Sequence, residues 1–220
     1  MKKTLIFDFD GTLIDSFGLA FECVNELADK YNYNKFDNPD FWRGKPLKDI
    51  VTQDVNLNFI STLFFIRDIR KLMKTKYSSL HFFDGIIPVL NNLSQEYDLG
   101  IATTNSRKSV NLMLEKYKVS CFKFIYADIP VFGKPKKLNY IMNKHSLSQE
   151  DVLYIGDEQR DIEAAKKVDL KSVAVSWGFN TRDLLLTSSP TFIIDNPDDL
   201  YDVIQNWSKS ISNTQHIMGK

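Results

Sequence analysis

The sequence predicts a doubly wound α/β fold, built on a parallel sheet and interrupted by a small helical insert. Three observations carry that expectation: compact apolar runs without polar alternation, helical periodicity between them, and one long stretch with helical periodicity alone. The runs Thr4-Leu5-Ile6-Phe7, Leu99-Gly100-Ile101-Ala102-Thr103 and Val152-Leu153-Tyr154-Ile155 are bounded by Gly, Asp or Asn. Having no polar face, they read as strands buried on both sides. Further strands are expected at 123–127, 172–176 and 191–194. Between strands, Val110, Leu114 and Tyr117, and then Ile162, Ala165 and Val168, recur at helical spacing. That is the βαβ rhythm.

The stretch from Ser16 to about Phe83 departs from it. Phe17, Phe21, Val24, Leu27, Ala28 and Tyr31 follow a helical period, as do Phe59, Leu63, Ile66, Ile69, Leu72 and Met73. Asn38-Pro39-Asp40 and Trp42-Arg43-Gly44-Lys45-Pro46 read as turns within it. Residues 1–15 and 84–208 are therefore assigned to the core and 16–83 to the insert. The polar segment 209–220 is expected to fray.

Composition limits the function classes. Lys and Arg number 28 and Asp and Glu 28, so the net charge is zero and no basic nucleic-acid surface is advertised. With 43% hydrophobic residues, 9 Gly and 7 Pro, the chain has the makings of a real core. Cys23 and Cys121 lack metal-ligand spacing and suit a reducing compartment. Asp8 breaks the apolar stretch after Met1-Lys2-Lys3, and Leu63-Phe64-Phe65-Ile66 is far short of a membrane span. A soluble, cytoplasmic protein without membrane or nucleic-acid partners is expected.

The chemistry-bearing residues gather after strands. Asp8-Phe9-Asp10-Gly11-Thr12 follows the first strand, at the end where open α/β sheets place ligands. Residues i and i+2 of a strand point the same way, while Gly11 invites a bend, so the two acids can converge without being equivalent. A pair of solvated turn acids capping a helix fits the same spacing. Gly156-Asp157-Glu158-Gln159-Arg160-Asp161 follows another strand, and Asp157 and Asp161 would share one face of a helix starting there. Carboxylates so crowded repel unless a cation shares the site, and an all-oxygen cluster suits Mg²⁺.

Two elements could serve a phosphate. Thr104-Asn105-Ser106 ends a strand and opens a helix, offering hydroxyls, an amide and backbone N–H groups; a simple helix N-cap accounts for it equally. Gly133-Lys134-Pro135 places a lysine in a loop before another helix.

In this order, Asp8-Phe9-Asp10-Gly11-Thr12-Leu13-Ile14-Asp15-Ser16, Thr104-Asn105, Gly133-Lys134-Pro135 and Gly156-Asp157 with Asp161 resemble the four motifs of the haloacid dehalogenase-like superfamily. The resemblance spans nearly the whole chain and is nearest to phosphoglycolate phosphatase-like and β-phosphoglucomutase-like members. It implies a Rossmann-like core with a helical cap after the first motif. Only about 28 residues separate Asn105 from Lys134, too few for the superfamily's other cap type. The implied activity is Mg²⁺-dependent hydrolysis of a small soluble phosphomonoester, through an aspartyl phosphate, by a monomer or homodimer. A mutase using the same motifs and a non-catalytic binding protein of the same fold are the alternatives.

By the resemblance, Asp8 is the nucleophile and Asp10 the general acid and then base. Asp8, the Asp10 carbonyl and Asp157 hold the metal. Thr104, Asn105 and Lys134 bind the phosphoryl group, and Asp161 organises Lys134 or the metal's waters. Arg43 or Lys45, in the insert's Gly-containing turn, would pair an anionic leaving group. Asp169 stands where relatives commonly end a helix with glycine. Glu158 is expected to be solvated. The cations Arg67, Arg70, Lys71, Lys74 and Lys76 read as a solvated helix face, and His81, His145 and His216 as structural or surface residues.

Overall fold

Six short strands form one parallel sheet: β1 (Thr4–Phe7), β2 (Asp98–Ala102), β3 (Phe122–Tyr126), β4 (Val152–Gly156), β5 (Lys171–Val175) and β6 (Phe192–Ile194). The computed structural model describes residues 2–218, with side-chain burial described for residues 2–210. The spatial order is β3-β2-β1-β4-β5-β6, so the winding reverses beside β1. Phe7 is in register with Ile101 on one side and Ile155 on the other. The carboxyl ends of β1, β2 and β4 thus meet at the place where doubly wound sheets bind ligands.

Alternation along the central strands sorts their side chains between two helical layers. Leu5, Phe7, Leu153 and Ile155 join one hydrophobic cluster with α6 (Ile86–Glu96), α7 (Arg107–Lys116) and α11 (Asp199–Met218). Ile6, Val152 and Tyr154 join the opposite cluster with α8 (Lys134–Lys144) and α9 (Gln159–Lys166). The short helix α10 (Arg182–Thr187) packs Leu185 against Ile162 and Ala174. Asp169, after α9, adopts φ 57°, a left-handed geometry that Asp tolerates better than most residues.

Between β1 and α6 lie α1 (Phe17–Glu26), α2 (Ala28–Tyr31), α3 (Pro39–Arg43), α4 (Leu47–Asp49) and α5 (Phe59–Lys76), with a wide turn at Ile50–Asp54 and a tight one at Tyr77–Ser79. They share a cluster of their own around Val24, Leu27, Trp42, Ile50, Val51, Val55 and Phe65. Asn38-Pro39-Asp40 is a helix start rather than a turn. The Asn38 side chain accepts from the Asp40 and Phe41 N–H groups, and Pro39 occupies a position that needs no donor. The expected apolar stripe of α5 is also displaced. Phe59 and Leu63 are exposed, and Phe65 is the buried anchor, with ring centroids 5.0 Å from Tyr31 and 5.9 Å from Tyr33.

The tail expected to fray from residue 209 continues α11 as helix to Met218, and its last two residues lie outside the described ones. Among the described residues no helix is long and apolar enough to cross a membrane.

Candidate active site

Asp8 and Asp157 end up side by side because β1 and β4 do. The Asp8 N–H donates to the Ile155 carbonyl at 2.8 Å, carrying the sheet's pairing to the first catalytic candidate. Gly11 then turns the chain at φ +74°. A Cβ there would sit 2.1 Å from Asp157 Oδ2, and one at Gly178 would sit 2.3 Å from the same atom, so both glycines make room for this carboxylate. Thr12 Oγ1 donates to Asp157 Oδ1 at 2.6 Å, and the Phe179 N–H donates to Oδ2 at 2.8 Å.

Lys134, at the first turn of α8, is buried and reaches two acids. Its ammonium donates to Asp8 Oδ2 at 2.9 Å and to Asp161 Oδ1. Burial opposes its charge, yet Asp161 and Asp8 lift its pKa well above the usual lysine value. Asp161 Oδ2 accepts from the Glu158 N–H at 3.1 Å, one half of a capping box that starts α9. Glu158 is therefore buried and paired with Arg160 instead of being solvated, because it closes the other half of that box.

Asp8, Asp157 and Asp161 each offer an oxygen within 4.8 Å of the others. Burial raises the Asp8 pKa to about 7, against the pull of Lys134. Burial, then the like charges of Glu158, Asp161 and Asp8, raise Asp157 well above the carboxylate range. Among the described residues Asp8 Oδ1 finds no hydrogen-bond partner although it is buried. Three buried carboxylates gathered within 4.8 Å, with hard oxygen donors alone and Lys134 as the cation bonded to two of them, fit a divalent cation such as Mg²⁺.

A cavity of about 470 Å³ opens between this cluster and the insert. Asp8, Asp10, Thr104 and Asn105 line it from the sheet side. Asp10 is held by neutral donors: Tyr77 Oη at 2.6 Å on Oδ1 and Asn105 Nδ2 at 2.7 Å on Oδ2. Its enclosure pushes the pKa up, while those hydrogen bonds pull it down. Thr104 is half-buried on the wall. Asn105, expected at the phosphate, spends its amide on Asp10 and its backbone N–H on Thr103 Oγ1, at 3.0 Å.

The insert's expected anion readers are also engaged elsewhere. Arg43 Nε and Nη2 donate to the carbonyls of Gly178 and Ser176, both at 3.0 Å, and Arg43 is not among the lining residues. A guanidinium satisfied by two carbonyls ties the insert to the loop that holds Asp157. Lys45 does line the cavity but is paired with Asp54 at 2.9 Å. Arg67, Arg70, Lys71 and Lys74 of α5 also border the cavity, and all four are exposed, in keeping with the solvated face expected of them. Their i, i+3, i+4, i+7 spacing puts them on one face of the helix, as the sequence indicated.

The sequence profile of the haloacid dehalogenase-like hydrolases matches residues 5–175. The chain is 29% identical over 209 residues to a phosphoglycolate phosphatase of Synechococcus elongatus, covering 92% of this chain and 97% of that one. It is 27% identical over 210 residues to the pyrophosphatase PpaX of Oceanobacillus iheyensis, covering 92% and 96%. A solved structure of a predicted phosphatase from Clostridium acetobutylicum superposes with a TM-score of 0.79 at 24% identity, covering 94% of this chain and 99% of that one. Matched through β1, β4 and β5, and carrying its acids at the ends of the first two, the chain belongs to the haloacid dehalogenase-like hydrolase family.

Proposed function

We propose that the protein is a phosphatase that hydrolyses a small soluble phosphomonoester through an aspartyl phosphate on Asp8. One observation carries the reading: Asp8 is a buried carboxylate with one oxygen on Lys134 and the other unpartnered, at the floor of the cavity. A nucleophile needs such a free lone pair, and the adjacent ammonium needs an anion to neutralise.

The division of labour between the two acids follows from their partners. Asp8 attacks phosphorus with Oδ1, while Lys134 compensates charge on Oδ2 and on the arriving phosphoryl oxygens. Asp10 takes its hydrogen bonds from a phenol and an amide and has no ion pair among the described residues, and its burial favours the protonated form. It protonates the departing alkoxide, then takes a proton from the water that releases phosphate from Asp8. Thr104 donates to the phosphoryl group from the cavity wall, and Asp161 holds Lys134 in place. Asp8 and Asp157, with the Asp10 carbonyl, would hold Mg²⁺, which supplies charge neutralisation of the phosphoryl group when bound.

The names of the relatives, a phosphoglycolate phosphatase and a pyrophosphatase, support phosphoryl chemistry here. The test is phosphate release from a panel of phosphorylated metabolites by purified protein with Mg²⁺. Turnover of at least one phosphomonoester, lost on chelation, is expected; no release from any of them would reject the reading.

A further inference from the structure

Tyr77 stands apart from every motif in the sequence. It is the first residue of the tight turn at Tyr77–Ser79 that ends α5 and leads back to the core. It is only 1% exposed, yet it borders the cavity. Its hydroxyl donates to Asp10 Oδ1 at 2.6 Å across 67 residues of sequence. A buried phenol loses hydration that it must recover from a partner, and here that partner is a carboxylate at the reacting end of the cavity.

Each carboxylate oxygen carries two lone pairs. Tyr77 takes one on Oδ1 and Asn105 takes one on Oδ2, so the pair fixes the rotation of the carboxylate plane and leaves both oxygens able to carry a proton. Asn105 belongs to the core, at the end of β2, whereas Tyr77 arrives with the insert's last helix. Tyr77 is packed in the core cluster with Leu13, Leu80 and Phe82, so the two donors reach Asp10 from separate segments and are both held by the core. We propose that Tyr77 is a positioning residue for proton transfer, aiming Asp10 at the leaving-group oxygen. The proposal rests on the reading of Asp10 as general acid and goes beyond it in naming what aims that acid.

A series of phosphomonoesters, from 4-nitrophenyl phosphate to alkyl phosphates, tests it. The ratio kcat/KM reports steps up to leaving-group departure, and only poor leaving groups need the proton. Tyr77→Phe keeps the ring and deletes the donor. It should lower kcat/KM by about 10- to 100-fold on alkyl phosphates and leave 4-nitrophenyl phosphate within about twofold, steepening the leaving-group dependence. Asp10→Asn should steepen the dependence at least as much, and adding Tyr77→Phe to it should cost nothing more. A variant carrying 3-fluorotyrosine at position 77, which retains the hydroxyl, should restore the wild-type slope. Tyr77→Leu serves if the Phe variant does not fold.

An equal loss on all substrates would reduce Tyr77 to a structural residue and overturn the proposal, as would no loss on any, or full additivity with Asp10→Asn. If Asp10→Asn steepens the slope and Tyr77→Phe does not, the proposal alone fails. If Asp10→Asn itself leaves the slope unchanged, the general-acid reading fails and takes the proposal with it.

Discussion

At the scale of residues, the account turns on Asp8 and the groups that share its charge. Asp8→Asn removes the nucleophilic oxygen while keeping the shape of the side chain, so kcat should fall by about three orders of magnitude or more, with a normal melting curve, in a steady-state phosphate-release assay. Lys134→Met leaves Asp8 and Asp161 buried without their shared cation. Chemical denaturation in the presence of chelator should show a loss of about 3–5 kcal/mol, the usual cost of breaking a buried ion pair from one side. These two residues, with Asp10, Asp157 and Asp161, stood out in the sequence because each lies within a few positions of a strand end or helix start, where local pattern speaks. Tyr77 was silent. Its partner Asp10 lies 67 residues away, and a lone tyrosine has no periodicity that marks it.

At the scale of elements, the insert and the core are tied at defined points. Arg43 at the end of α3 holds the loop after β5 through the carbonyls of Ser176 and Gly178, and the Thr181 N–H returns a bond to the Arg43 carbonyl at 3.1 Å. The same loop supplies the Phe179 N–H to Asp157. Arg43→Ala should therefore lower kcat/KM by a common factor of about 10 on phosphoglycolate and on ethyl phosphate, matching the loss of charge-assisted hydrogen bonds. A loss confined to phosphoglycolate would restore Arg43 as a reader of leaving-group charge, the role that its place in a Gly-containing turn suggested. The sequence showed that the turn mattered; it did not show which way the guanidinium points, because that depends on a loop more than 130 residues away.

At the scale of the whole molecule, the parallel sheet was legible in the uniform apolar runs, whereas the strand order was not, and it is the switch in that order beside β1 that gathers acids from distant segments. That gathering has a cost visible in pH dependence. Asp8 and Asp157 have folded pKa values raised above the ordinary 3.8, Asp8 to about 7. Between those limits the folded chain keeps protons that the unfolded chain has released, so the contribution of these groups is fully present below 3.8 and lost as pH rises through about 7. In chelator the melting temperature should thus fall from pH 5 to pH 8, and saturating Mg²⁺ should offset the fall by binding the folded state alone. A metal-free melting temperature that rises over this range, or one that Mg²⁺ leaves unmoved, would contradict the carboxylate cluster as a cation site. The central claim, that phosphate passes through Asp8, is tested most directly by stereochemistry. A phosphomonoester made chiral at phosphorus with isotopic oxygen and sulfur is hydrolysed, and the configuration of the released thiophosphate is determined. Two in-line displacements, first by Asp8 and then by water, predict net retention; net inversion would mean that water attacks the substrate directly and would contradict the account.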